Sequence, residues 1–401
     1  MVVHARLVSS TPAEDDTLAA SPPALRLVFS ESIEAALSSV RVVSARGSAV
    51  VRVRADSMDA RVLVGDLAPL PPGAYRVDWR IVSADGHPVE GSYGFTILDP
   101  SGPADSVFAP APPLPARHVS SGHAHGGPNA PAGVSATLRG LALFALLVLA
   151  GWLVQLVALR GAPPAGAVRT ALAFAAAAAL LLIAHFAAWL WHVTPADAAP
   201  DLGAALQTVP GRVEAVRIGL ALLAVWAIGL ARRPWIALAF VLAAVLTSGA
   251  AGHSAGIAPG WSIPLKSLHL VAVAVWMGGV AWLALAALGP ASFAASASRV
   301  STLALASVAL VGATGAAQAA IFLPDFSALS SSAYGRLVLA KLAGLAGLVA
   351  FGAHNRRRLL PRLAAGGDPG ALRASTRREL ALLLAVSLVA GALAYVPPPS
   401  S

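Results

Sequence analysis

Residues 137–159 read Thr-Leu-Arg-Gly-Leu-Ala-Leu-Phe-Ala-Leu-Leu-Val-Leu-Ala-Gly-Trp-Leu-Val-Gln-Leu-Val-Ala-Leu. After Arg139 no charge appears before Arg160. That matches the ~20 apolar residues a helix needs to cross the hydrocarbon core of a bilayer. A helix is required there, because an open strand would leave backbone N–H and C=O groups unpaired in lipid. Seven more runs of this kind follow, at 168–192, 213–231, 234–252, 264–288, 300–323, 335–353 and 378–396. The second half of the chain, 136–397, is therefore expected to be an all-α polytopic membrane bundle of eight transmembrane helices.

Working back toward the N-terminus, the pattern changes. Residues 4–98 carry ordinary charge and short β-rich runs: Leu25–Phe29, Val40–Val43, Val50–Val53, Arg61–Val64, Ala74–Val82 and Gly91–Ile97. Apolar and polar residues alternate in them, and Pro22-Pro23 and Pro71-Pro72-Gly73 punctuate them. About seven short strands in such a length predict an all-β immunoglobulin-like sandwich. Residues 99–135, rich in Pro, Gly, Ser and Ala, have the composition of a flexible linker.

Composition fits this division. The chain is 57% hydrophobic and 12% charged, where soluble domains have roughly 25% charged residues. The net charge of +9 does not point to nucleic acid, because most of the Arg in the second half falls between apolar runs. With the first domain outside, the inner connections carry Arg160, Arg169, Arg232, Arg233, Arg299, Arg356, Arg357, Arg358, Arg362, Arg373, Arg377 and Arg378. The outer ones carry Arg212, Lys266 and Arg336 beside Asp197, Asp201 and Asp325. This bias orients both termini outward. The first domain then needs export, yet no leader precedes His4, so a leader missing from this sequence is expected. The absence of cysteine excludes disulfides, thiolate zinc sites and thiolate copper(I) sites.

Two sets of residues have donor chemistry. The first is His4 with Asp85-Gly86-His87. Imidazole and carboxylate suit copper(II), which prefers tetragonal nitrogen and oxygen coordination. On an extended segment, positions i and i+2 share a face, and His4 would arrive from elsewhere in the fold. On spacing alone the triplet equally reads as a solvated turn. Its surroundings carry more: His4-Ala5-Arg6-Leu7-Val8-Ser9-Ser10-Thr11-Pro12, then Leu27-Val28-Phe29-Ser30-Glu31, then Gly73 through Pro88 closely resemble the CopC family of periplasmic copper carriers. The resemblance spans essentially all of 4–98. It implies a β-sandwich in which His4, as a free N-terminal residue, binds copper(II) with Asp85 and His87, and Glu31 is near the site. Met1 to Val3 would block that amine unless removed. Met58 is the only methionine between Met1 and the first apolar span, so one copper(II) site and no separate copper(I) site are expected in this domain.

The second set lies in the apolar runs. His185 and His192 are seven apart and share a helix face. His253 closes the fourth run and His269 lies just inside the fifth. In this topology all four belong to the outer half of the membrane, where an ionisable residue is a functional candidate by default; interhelical hydrogen bonding is the plainer alternative. Gly252-His253-Ser254, Leu268-His269-Leu270 with Trp276-Met277-Gly278-Gly279, Tyr334-Gly335-Arg336-Leu337 with Lys341, and Asn355-Arg356 with Pro361 resemble the CopD family of copper-resistance membrane proteins. That resemblance implies copper uptake across the inner membrane. It makes His253 and His269 the leading membrane copper candidates, for copper(I) or copper(II), followed by His185 and His192. Met277 is a soft donor that equally well packs, and Gly278-Gly279 permits close helix approach. Lys341 is a buried or snorkelling charge, and His354 marks the interface. His118, His123 and His125 are weaker linker candidates.

The expected function is copper capture outside the cytoplasm and import across the bacterial cytoplasmic membrane, without enzymatic activity. Copper ions, the bilayer and other extracytoplasmic copper carriers are the expected partners, and nucleic acid is not. No G-x-x-x-x-G-K-[ST] motif occurs, which argues against an ATP-driven pump. The rivals are a membrane cytochrome with histidine-ligated haem, copper-dependent oxidation at His4, and copper sequestration or sensing without transport.

Overall fold

The structure, a computed structural model, describes residues 5–84, 86–99, 132–159, 162–195, 198–248, 259–322 and 327–396. It comprises a β-part and a helical part.

The β-part has nine strands among the described residues: β1 Leu7–Thr11, β2 Thr17–Leu18, β3 Ala24–Phe29, β4 Ser39–Ser44, β5 Gly47–Val51, β6 Val53–Ala55, β7 Val62–Asp66, β8 Gly73–Val82 and β9 Pro88–Ile97. They form two sheets, ordered β1-β3-β7-β6 and β2-β9-β8-β4-β5. The count exceeds the expected seven because β2 and β6 are too short to show any alternation. In β8 the alternation is strict. Val77 and Ile81 are fully buried, Tyr75 and Trp79 nearly so, while Arg76, Asp78 and Arg80 face outward. Leu25, Leu27 and Phe29 of the other sheet join these residues in one core. Phe29 meets Trp79 edge to face with ring centroids 5.3 Å apart. β8 and β9 pair antiparallel from Gly73↔Ile97 to Val82↔Pro88 in one long ladder.

The helices are α1 Ala132–Val157, α2 Ala167–Val193, α3 Leu202–Gln207, α4 Val209–Gly229, α5 Pro234–Thr247, α6 Pro259–Leu285, α7 Pro290–Phe322, α8 Ala328–Ser331, α9 Ala333–His354, α10 Leu360–Ala364 and α11 Gly370–Leu393; the short α3 clusters with the β-part and the others form the helical part. A π-helical turn, Asn355–Leu359, links α9 to α10. Five of these helices are long and apolar enough to cross a membrane: α1, α2, α6, α7 and α9 with its extension. α5 is apolar but has only 14 described residues. α4 carries Arg212, Glu214 and Arg217, and α11 carries Arg373, Arg377, Arg378 and Glu379.

Several helices run past their apolar runs. α7 begins at Pro290 rather than 300, so Arg299 is helical, not part of a loop. Arg212, Lys266, Arg336, Arg373, Arg377 and Arg378 are likewise helical. The end of the expected linker, Ala132 to Ser135, is already the first turn of α1. The physical reason is common to all: hydropathy marks the lipid-matched part of a helix, whereas backbone hydrogen bonding continues into the polar boundary.

Small residues set the helix spacing. A Cβ on Gly151 would collide with Ala274 and Gly278 of α6, and one on Gly391 would collide with Ala136 and Gly140 of α1. Trp152 and Trp282 close the middle of the core with ring centroids 4.8 Å apart. In contrast, only 6% of the apolar window of α9 and its extension is buried, an outward apolar face that suits lipid and not water.

Candidate metal centre and membrane histidines

In the β-part, three chain segments meet beside the predicted copper(II) donors. Arg6 N–H donates to Ser30 Oγ at 3.0 Å, and Ser30 N–H donates to Arg6 C=O at 2.9 Å. Ala5 is fully buried in the core. Ala5 and Arg6 thereby lie against the segment that holds Glu31. Ser32 C=O in turn accepts from Ala84 N–H at 2.9 Å, and Val82 C=O accepts from Glu34 N–H at 2.8 Å. These bonds tie the Glu31 segment to the 83–87 loop.

The loop is shaped from within. Gly86 N–H donates to Ser83 C=O at 2.8 Å, and Ser83 N–H donates to His87 C=O at 3.0 Å. Ser83 Oγ adds a second donor to His87 C=O at 3.1 Å, and Ser83 is completely buried. Gly86 has φ +88°, the left-handed region that favours glycine. Ser83, Ala84 and Gly86 thus lie beyond the end of the β8–β9 ladder, which stops at Val82↔Pro88. His87 and Glu31 are half-buried, and each has polar contacts. His4 and Asp85 lie outside the described residues.

Of the membrane histidines, His253 lies outside the described residues, as do the linker residues His118, His123 and His125. His269 is on α6. Its Nδ1 is 2.9 Å from Thr314 Oγ1 of α7. The Thr314 hydroxyl hydrogen goes to Leu310 C=O at 2.6 Å. A hydroxyl has one hydrogen to give, so the network assigns the proton of this contact to His269 Nδ1. Nε2 is then the nitrogen with a lone pair, the arrangement in which a second-shell acceptor prepares a histidine for metal.

His185 is placed differently. It is buried on α2, with Nε2 3.1 Å from Tyr395 Oη and Nδ1 3.7 Å from Glu214 Oε1. Arg217 Nη1 donates to the same Glu214 oxygen at 2.6 Å. Glu214 and Arg217 are 6% and 5% exposed, so this ion pair is shut inside the bundle. Arg217 Nε and Nη2 have no hydrogen-bond partner among the described residues. His192, one face with His185 as expected, lies against Tyr395 from the other side, with ring centroids 6.4 Å apart. Met277 is 1% exposed and packs in the apolar core. Lys341 is partly buried and His354 is exposed at the end of α9. Among the described residues no group of three or more His, Asp or Glu side chains is gathered as a metal cluster.

Sequence reading missed Glu214, Arg217 and Tyr395 as neighbours of His185. The only signal was a pair of charges, Glu214 and Arg217, at i and i+3 inside an otherwise apolar run. It also missed Glu379, which is 3% exposed on α11 and takes hydrogen bonds from Trp276 Nε1 at 3.2 Å and Asn355 Nδ2 at 3.1 Å.

Four arginines tie neighbouring helices together. Arg299 Nη2 donates to Gln155 at 3.2 Å, Arg356 Nη1 to Ser301 Oγ at 3.1 Å, and Arg377 Nε to Ala284 C=O at 3.3 Å. Arg373 sits over the ring of Phe293, 5.1 Å from its centroid. In the β-part, outside the apolar runs, burial pushes the Tyr93 phenol up to about 12, and the Arg61 guanidinium holds Asp59 down at about 2.

Comparison with known proteins agrees with both halves. Residues 7–98 match the family model of the CopC domain, and residues 294–393 match that of Copper resistance protein D, CopD. Protein YobA of Escherichia coli K12 is 35% identical over 97 residues, 23% of this chain and 78% of that protein. Copper resistance protein C of Escherichia coli is 34% identical over 105 residues, 24% of this chain and 82% of that protein. Copper transport protein CutJ of Bacillus subtilis is 33% identical over 112 residues, 26% of this chain but only 19% of that protein. The crystal structure of CopC from Methylosinus trichosporium OB3b is 34% identical, covering 25% of this chain and 99% of its own, with a TM-score of 0.24.

Proposed function

The chain belongs to the CopC family and carries a CopD domain behind it, and from that premise we propose that it captures copper(II) outside the cytoplasm and imports copper through its helical bundle. The β-part is an immunoglobulin-like sandwich on the outer side of a bacterial cytoplasmic membrane. The helical part crosses that membrane eight times, with the arginine-rich end inside and both termini outside.

Copper is the cargo. His4, Asp85 and His87 hold it as copper(II), with Glu31 beside them, once His4 is the N-terminal residue and its amine is free. The observation that carries this reading is the hydrogen-bonded meeting of the Ala5–Arg6, Ser30–Ser32 and Ser83–His87 segments. Strands hold the described parts of those segments in place, which supports a site built on a rigid frame. In the membrane, His269 and His253 are the copper path. His269 supports this by the tautomer that Thr314 imposes. His185 is subordinate, because both its ring nitrogens already face protein partners. His118, His123 and His125 are transit ligands at most, and other extracytoplasmic copper carriers are upstream donors.

The test is cell copper content under copper limitation, with and without the gene. Uptake should fall in the deletion strain and return with the wild-type chain. It should not return with the His253→Ala, His269→Ala double variant. Unchanged uptake on deletion would contradict import, and full rescue by the double variant would leave the bundle as an anchor only.

A further inference from the structure

We infer that Glu379 is a proton-binding site of the helical bundle, formed with Trp276, Asn355 and Ser375 and separate from the copper-binding residues. It goes beyond the copper reading and does not depend on it.

The carboxyl group is enclosed. Glu379 is 3% exposed on α11. Its Oε1 is 3.2 Å from Trp276 Nε1 of α6, and its Oε2 is 3.1 Å from Asn355 Nδ2 in the π-helical turn. Both contacts are with neutral groups. α11 packs against α1, α6, α9 and the π-helical turn, and the charges on these elements are directed elsewhere. On α11 itself, Arg377 Nε donates to Ala284 C=O and Arg373 covers the Phe293 ring, while Arg378 is exposed. In the π-helical turn, Arg356 binds Ser301, and Arg357 and Arg358 are exposed.

His354 is also exposed at the end of α9, where Arg336 and Lys341 are on earlier turns. On α6, His269 and Lys266 precede Trp276 by seven and ten positions, roughly 10 and 15 Å along the axis. On α1, Arg139 is in the first turns and Gln155 near the end is neutral. No ion pair reaches Glu379 among the described residues. The Glu214 carboxylate, equally buried, has Arg217 at 2.6 Å. A buried carboxylate with no counter-ion is held at a high desolvation cost, which a bound proton removes.

The neighbours accept that proton by turning a single side-chain amide. Ser375 Oγ is 2.6 Å from Asn355 Oδ1. Turning the Asn355 amide over exchanges its oxygen and nitrogen at the same positions. The amide oxygen then receives the Glu379 O–H, and the amide nitrogen donates to Ser375 Oγ. Proton binding and release at Glu379 therefore couple to one amide flip in a π-helical turn, a local irregularity that recurs at functional sites.

The test treats the full chain, in membranes, with dicyclohexylcarbodiimide, an apolar reagent that needs a protonated carboxyl and leaves a stable acylurea readable by mass spectrometry. Infrared spectra of wild type and Glu379→Gln give a second readout. The expected result is modification at Glu379 that declines as pH rises, together with a neutral-carboxyl C=O band missing from the folded Glu379→Gln variant. The band alone, without labelling, also sustains the site, since it reports the proton directly. A folded wild type with neither labelling nor a band lost in Glu379→Gln overturns it. So does labelling that is unchanged across the pH range.

Discussion

In the β-part, main-chain hydrogen bonds fix the segments next to the proposed copper(II) donors, through Arg6–Ser30, Ser32–Ala84 and Ser83–His87. In the bundle, side chains fix the histidines: Thr314 for His269, and Glu214 and Tyr395 for His185. The difference bears on function. A main-chain frame leaves side chains to bind a ligand, whereas His185 spends its nitrogens on the protein. Its contacts resemble a structural ion cluster, and His269, with one nitrogen anchored, resembles a prepared ligand. The two regions should therefore respond to mutation in different ways.

The largest effect is expected at the bundle's buried ion pair. Glu214→Ala leaves the Arg217 guanidinium enclosed without its carboxylate and should cost about 3–5 kcal/mol, read from thermal unfolding in detergent. A loss under ~1 kcal/mol would mean that Arg217 is neutralised some other way, and the contrast would weaken. Next is the α1–α6 crossing. Gly278→Ala places a methyl against Gly151 and should destabilise the bundle by about 1–3 kcal/mol without moving the transition of the β-part.

A smaller effect is expected at Ser83. Ser83→Ala deletes one bond to His87 C=O, worth about 1 kcal/mol, and should weaken copper(II) binding by loosening the loop. Unchanged copper affinity would show that the main-chain bonds suffice alone. The smallest effect is at Asp59, where NMR titration should find the carboxyl at about 2, returning toward 3.8 in Arg61→Ala. Its stabilising contribution is present above the unfolded value of 3.8 and fades as pH falls from there through about 2.

These responses also mark what a linear sequence can carry. The β8 alternation and the apolar run of α1 were legible because strand and helix periodicity act over neighbouring residues. Strands β2 and β6 were not, being shorter than any period, and helix ends extended past the hydropathy signal. For the sites, the residue types His4, Asp85, His87 and Glu31 stood out through their resemblance to a family. That Ser83 and Gly86 fall outside the ladder depends on where the β8–β9 register stops, which no local pattern specifies. The partners of His185 were hidden because Glu214 and Tyr395 are 29 and 210 positions away in sequence. Glu379 was hidden for the same reason: it stands at the start of the expected 378–396 run, and its partners Trp276 and Asn355 are 103 and 24 positions away.

The central claim is that the chain holds one copper(II) ion on donors from three segments of its β-part. Titrating the full chain, after N-terminal sequencing has established a free His4, with copper(II) under electron paramagnetic resonance tests it most directly. The account predicts one tight equivalent with nitrogen hyperfine structure, lost in His87→Ala. No tight equivalent, two of them, or a spectrum unaltered by His87→Ala would contradict it.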